Sequence, residues 1–228
     1  AVTGGSLFAL ALAGIAFWGI YGSLVGKVFD PRSVALVQQL EAMRPGIAGH
    51  IYPLSILNEA ALFFAYGFLW FIPNVQWMSV DLRPAFPLGF GSWLHVLGAT
   101  SYIALFFASM WMVLRQRNVL ATVGLFLLFP LLWFVTEFAT VWVQDPFVLY
   151  RSYLWAVAVP GLIAIALTGF KPRTIYTAGI VLALVFGALA LERMASLKDD
   201  GTAWADAAEK IDTKAPANAV GRSRPFLN

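Results

Sequence analysis

Six stretches of this chain are apolar over lengths that match the hydrocarbon thickness of a bilayer, and that limits its fold more than any other feature. A helix rises about 1.5 Å per residue and the hydrocarbon layer is about 30 Å thick, so about 20 apolar residues cross it. The runs lie at about 2–26, 54–72, 92–114, 118–142, 154–170 and 174–195. Inside lipid a peptide group has no water to bond, so each run must satisfy its backbone internally, as a helix does. Composition agrees: 60% of the 228 residues are hydrophobic and 12% are charged, whereas a soluble domain carries about a quarter. The expected fold class is all-α, a polytopic transmembrane helical bundle of about five or six spans over 1–195. A short outward-facing tail over 196–228 follows it.

The runs differ in character. The first, AVTGGSLFALALAGIAFWGIYGSLVG, has neither an initiator Met nor the basic start of a signal peptide. It reads as a helix entered partway, and with the abrupt RSRPFLN end it predicts a fragment of a longer protein. The run at 54–72 is framed by Pro53 and Pro73 and carries Asn58 and Glu59 near its start, so it either spans or re-enters. The run at 154–170 is short but bounded by Arg151 and Lys171, whose long side chains can reach the boundary.

Basic residues set the orientation. Arg115-Gln116-Arg117 and Lys171-Pro172-Arg173 have bases and no acid, and are expected to be cytoplasmic. The connections 74–91 and 143–153 are charge-balanced and are expected to face outward, as is the tail. Between the first two runs, about 30–52, Asp30 can cap a helix that begins at Pro31. There Leu36, Val37, Leu40 and Met43 share one face and Gln38, Gln39 and Glu41 another, the pattern of an interfacial helix. Trp204, Ala207, Ala208 and Ile211 give the tail an amphipathic helix that needs a partner surface.

The formal charge of +3, from 15 basic and 12 acidic residues, is too small and too scattered for nucleic acid. Cysteine is absent, which removes thiolate chemistry and disulfides. Ionisable groups near hydrocarbon are the first functional candidates. Glu137 lies about a turn from the outer end of its run, where it could bind a metal, take a proton or pair with Arg151; the plain alternative is a Glu that reaches the interface. Arg151 stands with Asp145, Tyr150 and Tyr153 in QDPFVLYRSYLW. A guanidinium fork there matches the oxygens of a lipid phosphate, and an ordinary Asp–Arg loop pair is the alternative. Asp81 and Arg83 pose the same choice, and a re-entrant or interfacial helix end would leave Glu59 wet. Of the two histidines, His50 reads as a loop residue and His95 as a satisfied interhelical donor.

Three segments resemble a known family, the multi-spanning GT-C-type glycosyltransferases that carry periplasmic or lumenal tetratricopeptide repeats, such as the transmembrane TPR-containing O-mannosyltransferases. NEAALFFAYGFLWFIPNVQWMSVDLRP is similar to the family's helix, proline and Leu-Ser-x-Asp-like loop, with Pro73, Ser79 and Asp81 in those places. LLFPLLWFVTEFATVWVQDPFVLYRSYLWAVAVPGL resembles its outward loop ending in Arg-x-Tyr-Leu, with Arg151, Tyr153 and Leu154. TAWADAAEKIDTKAPANAVGRSRPFLN looks like the lead-in to the repeats. The chain departs from the pattern at Leu149, where the family often has Glu, and at Trp155, where it has Pro.

The resemblance implies a transfer of sugar from a polyprenyl-phosphate donor to a hydroxyl of a protein acceptor on the outer face. An outward carboxylate serves as base, and the family's own catalytic acid lies in a first outward loop ahead of the region matched here. Arg151 would take the phosphate and Tyr153 would position it, with Asp81 and Glu137 shaping the acceptor or a divalent-metal environment. The implied location is a bacterial inner membrane with the tail periplasmic. The competing expectation is a non-catalytic subunit of a larger membrane complex, whose partners are lipids and other membrane subunits.

Overall fold

A computed structural model describes residues 25–28, 31–141, 143 and 147–210. The first run lies almost wholly outside the described residues, as do Asp30, Asp145 and Ile211. The described chain is all-α: α1 (Pro31–Met43), α2 (Ile51–Phe71), α3 (Trp93–Arg115), α4 (Val119–Phe134), α5 (Tyr153–Ala156), α6 (Val159–Ala166), α7 (Pro172–Ser196) and α8 (Asp200–Glu209). Four segments are long and apolar enough to cross a membrane: Ile47–Phe71, Trp93–Arg115, Val119–Ala139 and Pro172–Ser196. A fifth is possible if the bent pair Leu149–Ala156 and Val159–Ala166 counts as one.

Antiparallel packing of α3 on α4 forms the centre. Small residues let the two backbones close: a Cβ on Gly124 would stand 2.7 Å from Met112 Cβ and 2.9 Å from the Ser109 carbonyl oxygen. Nearer the other end the Tyr102 hydroxyl donates to the Leu131 carbonyl at 2.5 Å. Pro130 lacks the N–H that would bond the Phe126 carbonyl. One turn later the α-helix ends at Phe134 and tightens into a 3₁₀ turn over Val135–Ala139. The run expected to be helical to 142 therefore stops earlier, and Glu137 sits in that tight turn.

Helix α2 packs obliquely on this pair. At its start the Tyr52 hydroxyl donates to the Phe138 carbonyl at 2.9 Å and the Ser55 hydroxyl to the Thr140 carbonyl at 3.3 Å. A Cβ on Gly98 would meet Ala61 Cα at 2.6 Å. By Phe71 the helix lines a space with Leu105 and Leu127, only halfway along α3 and α4. The chain then turns back beside it. Phe147 N–H donates to the Leu82 carbonyl at 2.7 Å, and Phe86 is buried with Leu40, Ile47, Ile51 and Leu54. These contacts fold the 72–92 segment back beside α2, and they bring α1 to the same end as the start of α3.

The short run at 154–170 is broken. Leu149–Ala156 and α6 meet at 59°, and Pro160 sits in the first turn of α6, where its ring cannot continue the preceding helix but suits the start of a new one. Helix α6 then runs down α4, with Gly161 against the Phe126 ring, and Gly169 at φ 95° turns the chain. Both basic connections, 115–117 and 171–173, therefore lie at one end. Helix α7 returns, its last turns facing 149–160 across a groove, and none of its residues is buried. The Asp199 side chain accepts from Thr202 N–H at 2.8 Å to start α8. The Arg193–Asp206 pair, 2.6 Å, holds α8 to α7, and Lys210, 2.6 Å from the same carboxylate, pairs with it within one turn of α8. Ala207 is buried and Trp204 half-buried, as the tail pattern requires.

Between α2, α3 and α4 the core is aromatic. Phe134 is fully buried, with the rings of Phe63, Tyr66, Tyr102 and Trp155 at centroid distances of 5.1, 6.4, 6.1 and 4.6 Å. Most of these contacts are edge-on, the arrangement the ring quadrupole favours.

Candidate functional site

The site is assembled where the 72–92 return meets the chain after α4. The Leu82–Phe147 bridge pins the two strands of chain together, and Phe147 stacks on Tyr66 at 4.3 Å. This puts Arg83, which follows Leu82, and Arg151, which ends the same passage, on one cavity together with Asn58, Glu59 and Tyr66 of α2. Glu59 and Tyr66 are seven residues apart, two turns along one helix face.

Each guanidinium also has an acid of its own. Arg83 Nη2 lies 2.7 Å from Asp81 Oδ1, with the Asp81 side chain only 1% exposed. Arg151 Nη2 lies 4.0 Å from Glu137 Oε2, and both side chains keep some access to the outside. Glu59 is 4% exposed, and Asn58 Nδ2 donates to its Oε1 at 3.2 Å. Asn58 Oδ1 is buried on the cavity with no hydrogen-bond partner among the described residues. The cavity measures about 20 Å³, room for a single water. Burying charges this deeply is tolerated only because opposite charges face one another.

Arg151 owes its direction to a short 3₁₀ turn, Leu149–Ser152. Buried Ser152 fixes that turn: its hydroxyl donates to the Leu149 carbonyl at 2.7 Å and accepts from Trp70 Nε1–H at 2.9 Å. The turn splits its neighbours between two environments. Arg151 goes to the polar cavity, while Leu149 and Tyr153 go to an apolar groove of about 800 Å³. Trp70, Met78 and Val159 form one wall of that groove and Phe186, Leu189 and Arg193 the other.

Of the residues singled out in the sequence, Asp81 joins Arg83, Glu137 joins Arg151, and Tyr153 is set apart from both pairs. Glu59 is not wet but buried, because the returning 72–92 segment, with Arg83, Pro84 and Phe86, packs over this part of α2. Among the described residues no three His, Asp or Glu side chains come together in a way that could hold a metal ion. Asp81 and Glu137 each face a guanidinium instead. His95 Nδ1 and the Ser92 hydroxyl share a hydrogen bond at 2.7 Å, and the ring also bonds the Ala85 backbone; it ties α3 to the return loop, and His50 ends a 3₁₀ turn. Comparison of the chain with family models, with curated proteins and with solved structures finds no match.

Proposed function

We propose that this chain is the membrane half of a glycosyltransferase that moves a sugar from a polyprenyl-phosphate donor to a hydroxyl of a protein acceptor. The observation that carries this reading is the Leu149–Ser152 turn, which separates a guanidinium from a long apolar groove by two residues. A lipid phosphate needs both: hydrocarbon to lie against, and a fixed cation at its head. On this reading the prenyl chain lies along Met78, Val159 and Phe186, and the phosphate exchanges with Glu137 for Arg151. The acceptor oxygen attacks the anomeric carbon, its proton passes to a carboxylate, and the departing phosphate is stabilised by Arg151. Asp81, through Arg83, holds the cavity wall. The working face is the end opposite Arg115 and Arg117, periplasmic in a bacterial inner membrane, with the tail on that side.

The test is transfer from a radiolabelled polyprenyl-phosphate sugar to an acceptor peptide by the full-length protein in nanodiscs. Arg151→Ala is expected to lower the rate about 100-fold, the usual loss of one transition-state electrostatic partner, with Arg151→Lys between the two. An unchanged rate removes Arg151 from the site. A second reading, a non-catalytic membrane subunit, draws on one observation: α7 is apolar and has no buried residue, as a helix that packs on other subunits would. Absence of any transfer by the full-length protein, with stable co-purifying membrane partners, would favour it.

A further inference from the structure

We propose that Arg44 and His50 build a separate binding pocket for a phosphate ester with a neighbouring hydroxyl, the chemistry of a glycerol-type phospholipid headgroup. The pocket has a volume of about 230 Å³ and lies where the turn after α1 meets the 88–90 segment. It shares no lining residue with the Glu59–Arg151 cavity or the apolar groove.

The guanidinium is placed rather than loose. Arg44 Nη1 donates to the Leu88 carbonyl at 2.5 Å. The group lies across Gly89, where a Cβ would stand 1.9 Å from Nη1 and 2.8 Å from Cζ, so a residue with a side chain would evict it. A guanidinium carries five donors in a rigid fork, and one spent on a carbonyl leaves an edge for a phosphate. The turn beneath is locked by Glu41, whose carboxylate accepts from Gly46 N–H at 2.5 Å and Ala48 N–H at 2.8 Å. Those backbone bonds hold its carboxyl below the usual range, and Gly46 turns the chain at φ 85°. Glu41 is thereby committed to the backbone, and no acid lines the pocket.

His50 supplies the second edge. Its Nδ1 is 3.2 Å from the Gly46 carbonyl; a proton on Nδ1 donates there and leaves Nε2 an acceptor, suited to a ligand hydroxyl. Phe90 stands edge-on to the imidazole at 6.2 Å. Ile47, Leu54 and Leu88 complete an apolar wall. Donor fork, acceptor and hydrocarbon wall together match an amphipathic phosphodiester that carries a hydroxyl.

The test is native mass spectrometry of the full chain in detergent, titrated with phosphatidylglycerol, phosphatidylcholine or glycerol 1-phosphate. Phosphatidylglycerol should bind the unaltered chain at least tenfold more tightly than it binds Arg44→Ala or Gly89→Ala. The second variant keeps the arginine and fills its seat, so it separates position from charge. His50→Ala should weaken phosphatidylglycerol and leave phosphatidylcholine, which has no free hydroxyl, unchanged. Displacement by glycerol 1-phosphate identifies a soluble ester as sufficient; failure to displace identifies the lipid. Equal phosphatidylglycerol binding by the unaltered chain and by both Arg44→Ala and Gly89→Ala, each with unchanged thermal unfolding, overturns the proposal.

Discussion

Arg83→Ala is expected to destabilise the folded chain by about 3–5 kcal/mol, the cost of leaving one member of a buried ion pair uncompensated. Asp81, 2.7 Å from the guanidinium and almost wholly enclosed, cannot turn to solvent when its partner is removed. Glu59 borders the same cavity and would lose a facing cation at the same time. The effect is large against a total stability of about 5–15 kcal/mol. The doubly substituted Asp81→Leu/Arg83→Met chain should recover most of the loss, since replacing a whole buried pair with apolar side chains is often near neutral. Unfolding in detergent micelles, followed by circular dichroism, measures both. A single variant as stable as the unaltered chain would mean that the return loop is wet and the pair superficial.

Phe134→Ala should be comparably severe, again about 3–5 kcal/mol. Its ring is fully buried and is edged by Phe63, Trp155 and Phe138 at 5.1, 4.6 and 5.6 Å. These neighbours belong to different helices, so truncation opens a void that no single side chain can fill. Lipid does not substitute, because helix association in a bilayer depends on packing contacts. Phe107 on α3, 65% exposed, is the control: in micelles detergent occupies the space its ring leaves, and Phe107→Ala should shift unfolding by less than about 1 kcal/mol. Equal losses for the two variants would contradict the placement of the core.

The long helices were legible because their signal is local: apolar length and basic flanks in 92–114 and 174–195 reappear as α3 and α7. The breaks were not. Pro130 and Pro160 sit in similarly apolar runs, yet only the second bends its run sharply, since Pro160 falls in the first turn after a change of direction while α4 is braced by Tyr102 on the Leu131 carbonyl. The return of the 72–92 segment beside α2 was not legible in the sequence, since it depends on the Leu82–Phe147 bridge and on Phe86, contacts distant in sequence. The Asp81–Arg83 pair could be read from spacing of two residues. Glu59 could not, because its burial depends on the return loop; its spacing of seven from Tyr66 was the one available sign.

The central claim is that the end carrying Arg83, Arg151 and the groove lies across the membrane from Arg115 and Arg117. Because the chain has no cysteine, single cysteines report their own positions without background. Gly91, where an added Cβ meets nothing within 4 Å, exposed Lys198 and Gln116 are suitable sites. With Gly91→Cys, Lys198→Cys and Gln116→Cys in sealed vesicles of known sidedness, a membrane-impermeant maleimide should label the first two from the outer side. It should label the third only from the cytoplasmic side. Labelling of Gly91→Cys and Gln116→Cys from the same side would contradict the account.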